Sequence, residues 1–251
     1  MSKIALVTGA SRGLGRNTAL GIARHGGDVI LTYQSSNEAA QAAVAEIKAM
    51  GRRAIALQLD TGDVSAFPHF VEQLSKALRE TWDRDTLDHL VNNAGHADYA
   101  LIKDTTEAQF DGLVNVHFKG VFFLTQALLP LIADGGRIVN VSSGLTRFSF
   151  PGSAAYAAVK GAIEVLTRYM AKELGSRGIA VNTVAPGAIE TDFGGGRLRD
   201  NPDVKRMVAA MTALGRTGLP DDIGPMIAGL LSDDNRWVNA QRIEVSGGQS
   251  I

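Results

Sequence analysis

Seven short apolar runs, separated by stretches with helical periodicity, constrain the fold of this 251-residue chain more than any other feature. The runs are rich in β-branched residues and lack apolar–polar alternation, which predicts strands buried on both faces of a parallel sheet. They cover residues 4–7, 29–32, 54–57, 87–91, 138–141, 180–184 and 243–245. Between them, apolar residues recur at helical spacing, as at Val159, Ile163, Leu166 and Met170. The pattern predicts a doubly wound α/β fold with helices on both faces of a seven-stranded parallel sheet.

No internal repeat, low-complexity tract or Pro/Ser-rich linker divides the chain, which predicts one domain over residues 1–251. The formal net charge is −1, so no surface for nucleic acid or an anionic membrane is expected. The longest apolar tract, residues 121–132, is interrupted by Thr125, Gln126 and Pro130, so no membrane span is predicted. The chain has no cysteine, which excludes disulfides and thiolate ligands and fits a cytoplasmic location. The five histidines show no paired ligand spacing, and no metal site is expected.

Tyr156 and Lys160 stand four residues apart in a helical segment, so their side chains share one helix face. Ser143 closes the fifth predicted strand, at the carboxyl end of the sheet, where open α/β folds bind ligands. A serine that polarises a substrate oxygen, a tyrosine acid and a lysine that lowers the phenol's pKa form a set suited to hydride chemistry on a carbonyl or alcohol. One ammonium about 4 Å away supplies roughly 4 kcal/mol at an effective dielectric of about 20, sufficient to lower a phenol pKa by about two to three units.

The first predicted strand leads into a glycine-rich turn with the spacing G-x-x-x-G-x-G. Its glycines, Gly9, Gly13 and Gly15, leave out Cβ atoms where backbone N–H groups would approach a pyrophosphate at a helix N-terminus. A strand-to-helix turn with a purely structural role is the alternative interpretation.

Two further segments follow strand ends. After the fourth strand, Asn92, Ala94 and Gly95 belong to a run of small and amide residues that lets a ligand approach the backbone, and Asn92 is also suited to brace the sheet. After the third strand come Asp60 and Thr61. Asp60 is either a contact to a ligand or a helix N-cap.

These motifs resemble those of the short-chain dehydrogenase/reductase family over essentially the whole chain, with 3-oxoacyl-acyl-carrier-protein reductases as the nearest group. The resemblance implies a single-domain Rossmann fold in which Asp60 bonds the adenine amino group and Lys160 holds the nicotinamide ribose. It also implies a fourth catalytic residue, Asn115, which holds a water near Lys160, and a substrate lid over about residues 192–212. The implied cofactor contacts are Gly9, Ser11, Arg12, Gly13, Leu14, Gly15, Ser35, Asp60, Thr61, Asn92, Ala94, Gly95, Tyr156, Lys160, Pro186, Gly187, Ile189 and Thr191.

The end of the second strand bears on the choice of cofactor. An enzyme for NAD usually carries Asp or Glu there to bind the ribose 2′-hydroxyl. This chain has Tyr33, Gln34 and Ser35 instead, so no carboxylate repels a 2′-phosphate, and Arg12 supplies positive charge. NADP(H) is therefore the expected cofactor, although Gln34 stands where the resembling family often has arginine, and NAD(H) remains possible.

We expect an NADPH-preferring oxidoreductase that reversibly reduces a carbonyl, a ketone or a 3-oxoacyl-like group, to a secondary alcohol. The alternatives are an NAD-dependent alcohol or sugar dehydrogenase on the same fold and a dinucleotide-sensing module without catalysis. The intact set of Ser143, Tyr156, Lys160 and Asn115 argues against a sensor, which needs no acid. The substrate is expected to be a small molecule.

Two expectations concern surfaces. The helices holding residues 118–129 and 158–169 carry more apolar surface than one sheet face covers, and the resemblance implies a homotetramer. Carrier-protein reductases usually have basic residues just before the fifth strand, where this chain has Asp134 and no Lys or Arg. Arg177 matches a basic docking position, so the loss is partial. Carrier-linked acyl groups are therefore expected to be poor substrates.

Overall fold

In the computed structural model, which describes residues 2–251, seven strands form one parallel sheet. They are β1 (Ile4–Val7), β2 (Asp28–Tyr33), β3 (Ala54–Gln58), β4 (Leu87–Asn92), β5 (Ile132–Val141), β6 (Ala180–Pro186) and β7 (Arg242–Val245). Their order in the sheet is β3-β2-β1-β4-β5-β6-β7, and neighbouring strands are parallel. The predicted doubly wound Rossmann fold is confirmed. The order reverses between β1 and β4, so the carboxyl ends of these strands border one crevice.

The helices cover both faces of the sheet and connect the strands. They are α1 (Gly13–Arg24), α2 (Asn37–Ala49), α3 (Phe67–Trp82), α4 (Glu107–Val114), α5 (Gly120–Leu128), α6 (Ala154–Leu174), α7 (Arg197–Asp200), α8 (Pro202–Ala210) and α9 (Pro220–Leu230). Pro220 starts α9, and the carboxylate of Asp222 accepts the backbone N–H of Leu219 at 2.7 Å.

The fifth strand differs from its prediction. It begins at Ile132, which pairs with Leu87, and then shifts register so that Arg137 pairs with His89. The intervening residues include Gly135, with a φ of +75°. Because such backbone carries no apolar signal, the sequence reveals only the regular part of the strand.

Alternate residues of β1 belong to different hydrophobic clusters, one on each face of the sheet. Ile4 and Leu6 pack with Leu74 of α3, whereas Ala5 and Val7 belong to the cluster under α1, α2 and α9. All four β1 side chains are fully buried. Burial of each large apolar side chain contributes about 1.5–3 kcal/mol.

The segment Glu107–Leu131 is long and apolar enough, by length and composition alone, to cross a membrane. The core helix of a soluble protein meets the same test. Here Leu113, Leu124 and Leu128 are buried, while Phe122 and Phe123 lie on the outer face. The sequence prediction considered only residues 121–132, whereas the helical segment runs from Glu107 to Leu131.

Candidate active site

Ser143, Tyr156 and Lys160 meet where β5 ends beside α6. The Tyr156 and Lys160 side chains share the buried face of α6, with 7% and 5% of each residue exposed. The Lys160 ammonium donates to the carbonyl oxygen of Val141 at 2.8 Å and lies 5.7 Å from the centre of the Tyr156 ring. Ser143 lies two residues after Val141, the last paired residue of β5, and its hydroxyl accepts the backbone N–H of Leu145 at 3.2 Å. The sheet edge thus fixes the serine, and the helix fixes the phenol and the ammonium.

Burial governs the ionisation of both helix residues. Burial raises the pKa of Tyr156 above its ordinary value; the nearby Tyr99 adds to this rise and a hydrogen bond with Ser143 opposes it. Burial lowers the pKa of Lys160 to about 7. Burial is thus the largest influence on both pKa values, and the lowering of the phenol pKa by Lys160 stays a prediction.

The predicted fourth catalytic residue, Asn115, begins a π-helical turn, Asn115–Lys119, between α4 and α5. Its carbonyl oxygen accepts the backbone N–H of Gly120, the wide hydrogen bond of such a turn. Two residues on, the ring of His117 meets the Tyr156 ring edge-on, with centroids 5.4 Å apart and an interplanar angle of 88°. The structure thus places a histidine against the phenol on this turn.

The glycine turn has the shape that a dinucleotide requires. Gly9 and Gly13 have φ values of +64° and +56°, which favour glycine. A Cβ on Gly9 would lie 2.8 Å from the Cα of Ala94, and one on Gly15 would collide with the side chain of Asn93. A Cβ at Gly13 would come within 3.8 Å of the Thr191 side chain, so the turn faces the segment after β6. This cradle fits a pyrophosphate at the N-terminus of α1.

Polar residues that the motif analysis did not single out hold this cradle. The Thr8 hydroxyl accepts backbone N–H groups of Asn93 and Ala94, at 2.9 and 3.0 Å. The Asn93 amide donates to the Thr8 carbonyl at 2.9 Å. Asn92, in contrast, turns into the sheet and donates to Asn140 at 2.8 Å. Its side chain therefore braces β4 against β5 rather than facing the crevice.

At the far end of the crevice, Asp60 lies in the turn after β3. Its carboxylate accepts the backbone N–H of Gly62 at 2.8 Å and the side-chain amide of Gln34 at 2.8 Å. The N-cap of the next helical turn is Asp63 rather than Asp60, and its side chain accepts the backbone N–H of Ser65. Ser35 is exposed beside this pair, and Thr61 is buried.

The turn that carries Arg12 is hydrogen-bonded to β2, the strand that ends just before Gln34. The backbone N–H groups of Gly9 and Ala10 donate to the hydroxyl and carbonyl of Thr32, at 3.2 and 2.8 Å. Arg12 is exposed in extended backbone at the start of α1. Ser11 and Leu14 lie in the same turn.

The opposite side of the crevice is formed by the segment after β6. Gly187 donates its backbone N–H to Val245 at 3.0 Å, and Ile189 bridges to Gly218. Thr191 accepts the backbone N–H of Phe193 at 3.2 Å. These contacts hold the residues after Pro186, the end of β6, close to the sheet.

The predicted lid, residues 192–212, contains α7 and α8, preceded by three glycines with positive φ. Phe193 lies 5.9 Å from the Tyr156 ring, centroid to centroid. Gly194 lies against Tyr99, so that aromatic side chains flank the phenol. Just before this segment, the carboxylate of Glu190 accepts a hydrogen bond from the ammonium of Lys205 in α8 at 2.6 Å. Within residues 2–251, no cluster of three or more His, Cys, Asp or Glu is suited to hold a metal ion.

The comparisons with known proteins agree with this geometry. Residues 9–250 match the family described as Enoyl-(Acyl carrier protein) reductase. The 3-oxoacyl-[acyl-carrier-protein] reductase FabG of Staphylococcus aureus is 38% identical over 250 residues, covering 99% of this chain and 98% of that protein. Versicolorin reductase stcU of Emericella nidulans is 35% identical over 256 residues, covering 98% and 95%. The crystal structure of the angucycline C-6 ketoreductase LanV with bound NADP has a TM-score of 0.94 at 36% identity, covering 99% and 95%.

Proposed function

Because the chain belongs to the short-chain dehydrogenase/reductase family, we propose that this NAD(P)-dependent oxidoreductase uses NADPH to reduce a ketone to a secondary alcohol, with Tyr156 as the proton donor. The observation that carries the proposal is the buried set of Ser143, Tyr156 and Lys160 beside a glycine cradle. LanV and the other NADP-bound structural neighbours support the choice of cofactor.

Bound NADPH would supply the hydride. The Ser143 hydroxyl is positioned to donate a hydrogen bond to the substrate oxygen, where negative charge develops during reduction. Tyr156 then gives its proton to that oxygen. Its raised pKa keeps the phenol protonated at neutral pH, as a general acid requires.

Lys160 has two tasks in this proposal. It would hold the nicotinamide ribose, and it would stabilise the phenolate left after proton transfer. Because burial lowers the pKa of Lys160 to about 7, neighbouring charges decide whether its side chain is charged at neutral pH. A cofactor phosphate and a developing phenolate are both negative, and both favour the charged form. Bulk water is kept from the acid by burial and by the Phe193 ring.

A single substitution tests the acid. Tyr156→Phe should lower turnover by about 10²-fold or more and leave the NADPH dissociation constant nearly unchanged, because only the proton donor is lost. Lys160→Ala should raise that dissociation constant and also lower turnover. Tyr169→Phe, on an exposed tyrosine of the same helix, is the matched control. Turnover by Tyr156→Phe equal to that of the wild type would remove Tyr156 from this role.

For the substrate, we propose a free apolar ketone rather than an acyl group on a carrier protein. Arg177, the basic residue at the expected docking position, is engaged by Asp134 at 2.8 Å and by the Leu129 carbonyl at 2.9 Å. Its charge is therefore partly neutralised. Tyr99 and Phe193, which flank the phenol, are 50% and 41% exposed and offer faces for a flat ring.

A substrate comparison checks this choice. We expect a bicyclic aromatic ketone to have a higher kcat/KM than a 3-oxoacyl group on its carrier protein or on a small thioester mimic. Phe193→Ala should lower kcat/KM for the aromatic ketone by up to about 10-fold, the scale of one aromatic contact, and leave a small aliphatic ketone unaffected. A large advantage of the carrier-bound group, lost at high salt, would instead identify a carrier-protein reductase.

A further inference from the structure

His117 is the buried ionisable residue nearest the phenol that the proposed reaction does not yet use. It is 1% exposed, and its ring packs edge-on against Tyr156. Its Nε2 lies 2.8 Å from the carbonyl oxygen of His96 and 3.2 Å from the His96 backbone nitrogen. Its Nδ1 is buried with no hydrogen-bond partner within residues 2–251. One side chain thus contacts both the acid and the backbone after β4.

The surroundings are shaped to admit this ring. A Cβ on Gly95 would collide with the imidazole of His117, so the glycine after β4 leaves the space that the ring fills. The π-helical turn contributes as well, because its extra residue changes which side chains face α6. Val114 and Phe118 pack with Tyr156 in the same small cluster.

Asn115 lies on a different side of this turn. Successive helical residues are rotated by about 100°, so residues two apart point in roughly opposite directions. The contacts of this segment with Tyr156 are made by His117, Val114 and Phe118. Val116, between them, lies against Gly62. The role that the resemblance implies for Asn115 and the role open to His117 are therefore two hypotheses that variants can separate.

We propose that His117, rather than Asn115, is the positioning residue that completes the set of Ser143, Tyr156 and Lys160 in the proposed reductase, on which this inference rests. Through Nε2 it ties the π-helical turn to His96, and through its ring edge it fixes the orientation of the phenol.

The charge state of the imidazole agrees with this role. Burial, together with the neighbouring ammonium of Lys160, lowers the pKa of His117 well below its ordinary value, and the His96 ring contributes in the same direction. The ring is therefore neutral at physiological pH and keeps a lone pair.

The test compares four variants in ketone reduction with NADPH. His117→Leu should lower kcat by about 30-fold or more, because a small displacement of the acid is costly, while the NADPH dissociation constant stays within about two-fold. His117→Asn should recover most of this loss, since a carboxamide can donate to the His96 carbonyl and accept its N–H together. Asn115→Ala should change kcat by less than about three-fold. His69→Leu, on an exposed histidine of α3, is the control.

Each outcome decides a separate question. If the wild type reduces ketones and His117→Leu is equally active, the inference about His117 is overturned while the proposed function stands. A loss of activity in Asn115→Ala as large as that in His117→Leu has the same meaning. Failure of the asparagine to rescue activity also counts against it. A wild type without ketone turnover overturns the proposed function and this inference with it. Should His117→Leu not fold by circular dichroism, His117→Phe keeps the ring and removes the hydrogen bonds, with the same expected loss.

Discussion

Tyr156 and Lys160 are buried in a way that disfavours the charged form of each. The pKa of the phenol is raised, and that of the ammonium is lowered to about 7. A proton donor benefits from the first shift, because it must hold its proton until the substrate oxygen becomes basic. The second shift makes the charge of Lys160 responsive to neighbouring groups at neutral pH.

A second buried histidine makes stability depend on pH. His89 in β4 is 4% exposed, and burial lowers its pKa to about 4. Its folded pKa lies below the unfolded value of 6.5, so the unfolded chain binds the proton first as pH falls. The contribution is present above pH 6.5 and is lost progressively as pH falls from 6.5 towards 4.

We therefore expect His89 to lower the free energy of unfolding by about 2 kcal/mol between pH 7.5 and pH 5. Urea unfolding of the wild type and His89→Leu at both pH values measures this difference. The other titrating groups contribute to both proteins, so the comparison isolates His89. Equal pH dependence in the two proteins would show that His89 does not titrate in this range.

At the scale of elements, the ends of four strands, β1 to β4, and the turns that follow them form the crevice. The β1–α1 turn is tied to β2 through Thr32 and to β4 through Thr8. The end of β2 is tied to that of β3 through Gln34 and Asp60. Because these ties connect elements far apart in sequence, the cofactor site depends on the sheet order as much as on the glycines.

Arg12 in the β1–α1 turn should determine part of the cofactor preference. We expect kcat/KM to be higher with NADPH than with NADH, and Arg12→Ala to narrow the difference by about 1–3 kcal/mol, the range for a charge-assisted hydrogen bond. Arg24→Ala, at the exposed end of the same helix, is the matched control. Equal use of both cofactors by the wild type would refute this interpretation of the second strand.

At the scale of the whole molecule, the outer faces of α5 and α6 carry unusually many exposed apolar side chains. Phe122 and Phe123 are 39% and 38% exposed, and Val165 and Tyr169 are 45% and 64% exposed. Trp237, shortly before β7, is 96% exposed. Contiguous apolar patches of this kind typically mark interfaces.

We expect a homotetramer in which α5 and α6 pair with their copies across a two-fold axis and the C-terminal segment forms a second interface. Phe123→Glu should dissociate the first interface, because it buries a charge against an apolar partner. Light scattering at micromolar concentration measures the mass of wild type and variant, with the exposed substitution Lys76→Glu as control. A monomeric mass for the wild type would contradict the assembly.

The strands and most helices could be predicted because their signals are local. A doubly buried strand such as β1 gives an unbroken apolar run, and the start of α9 is marked by Pro220 and its acidic residues. The set of Ser143, Tyr156 and Lys160 was also predictable, since one helix face and one strand end determine it. The first part of β5 was not, because its register shift at residues 133–136 has no apolar pattern.

Other features depend on contacts between distant segments. No spacing in the sequence indicates that Asn92 pairs with Asn140 or that Asp60 binds Gln34. The edge-on contact of His117 with Tyr156 also lies beyond a motif, because it joins the π-helical turn to a different helix. A buried pKa depends on the whole environment of the side chain, so the spacing of Tyr156 and Lys160 does not reveal how strongly burial raises the pKa of the phenol.

By itself, the sequence determined the sheet and the family and predicted that Ser143, Tyr156 and Lys160 lie together, because these follow from short-range periodicity and from fixed spacing. The tertiary structure alone decided which side chains face the crevice and how burial sets their charge. Both depend on desolvation by segments such as His96, Phe193 and the end of β5, which are far from Tyr156 in sequence. Burial is a property of the folded chain, and no local pattern specifies it.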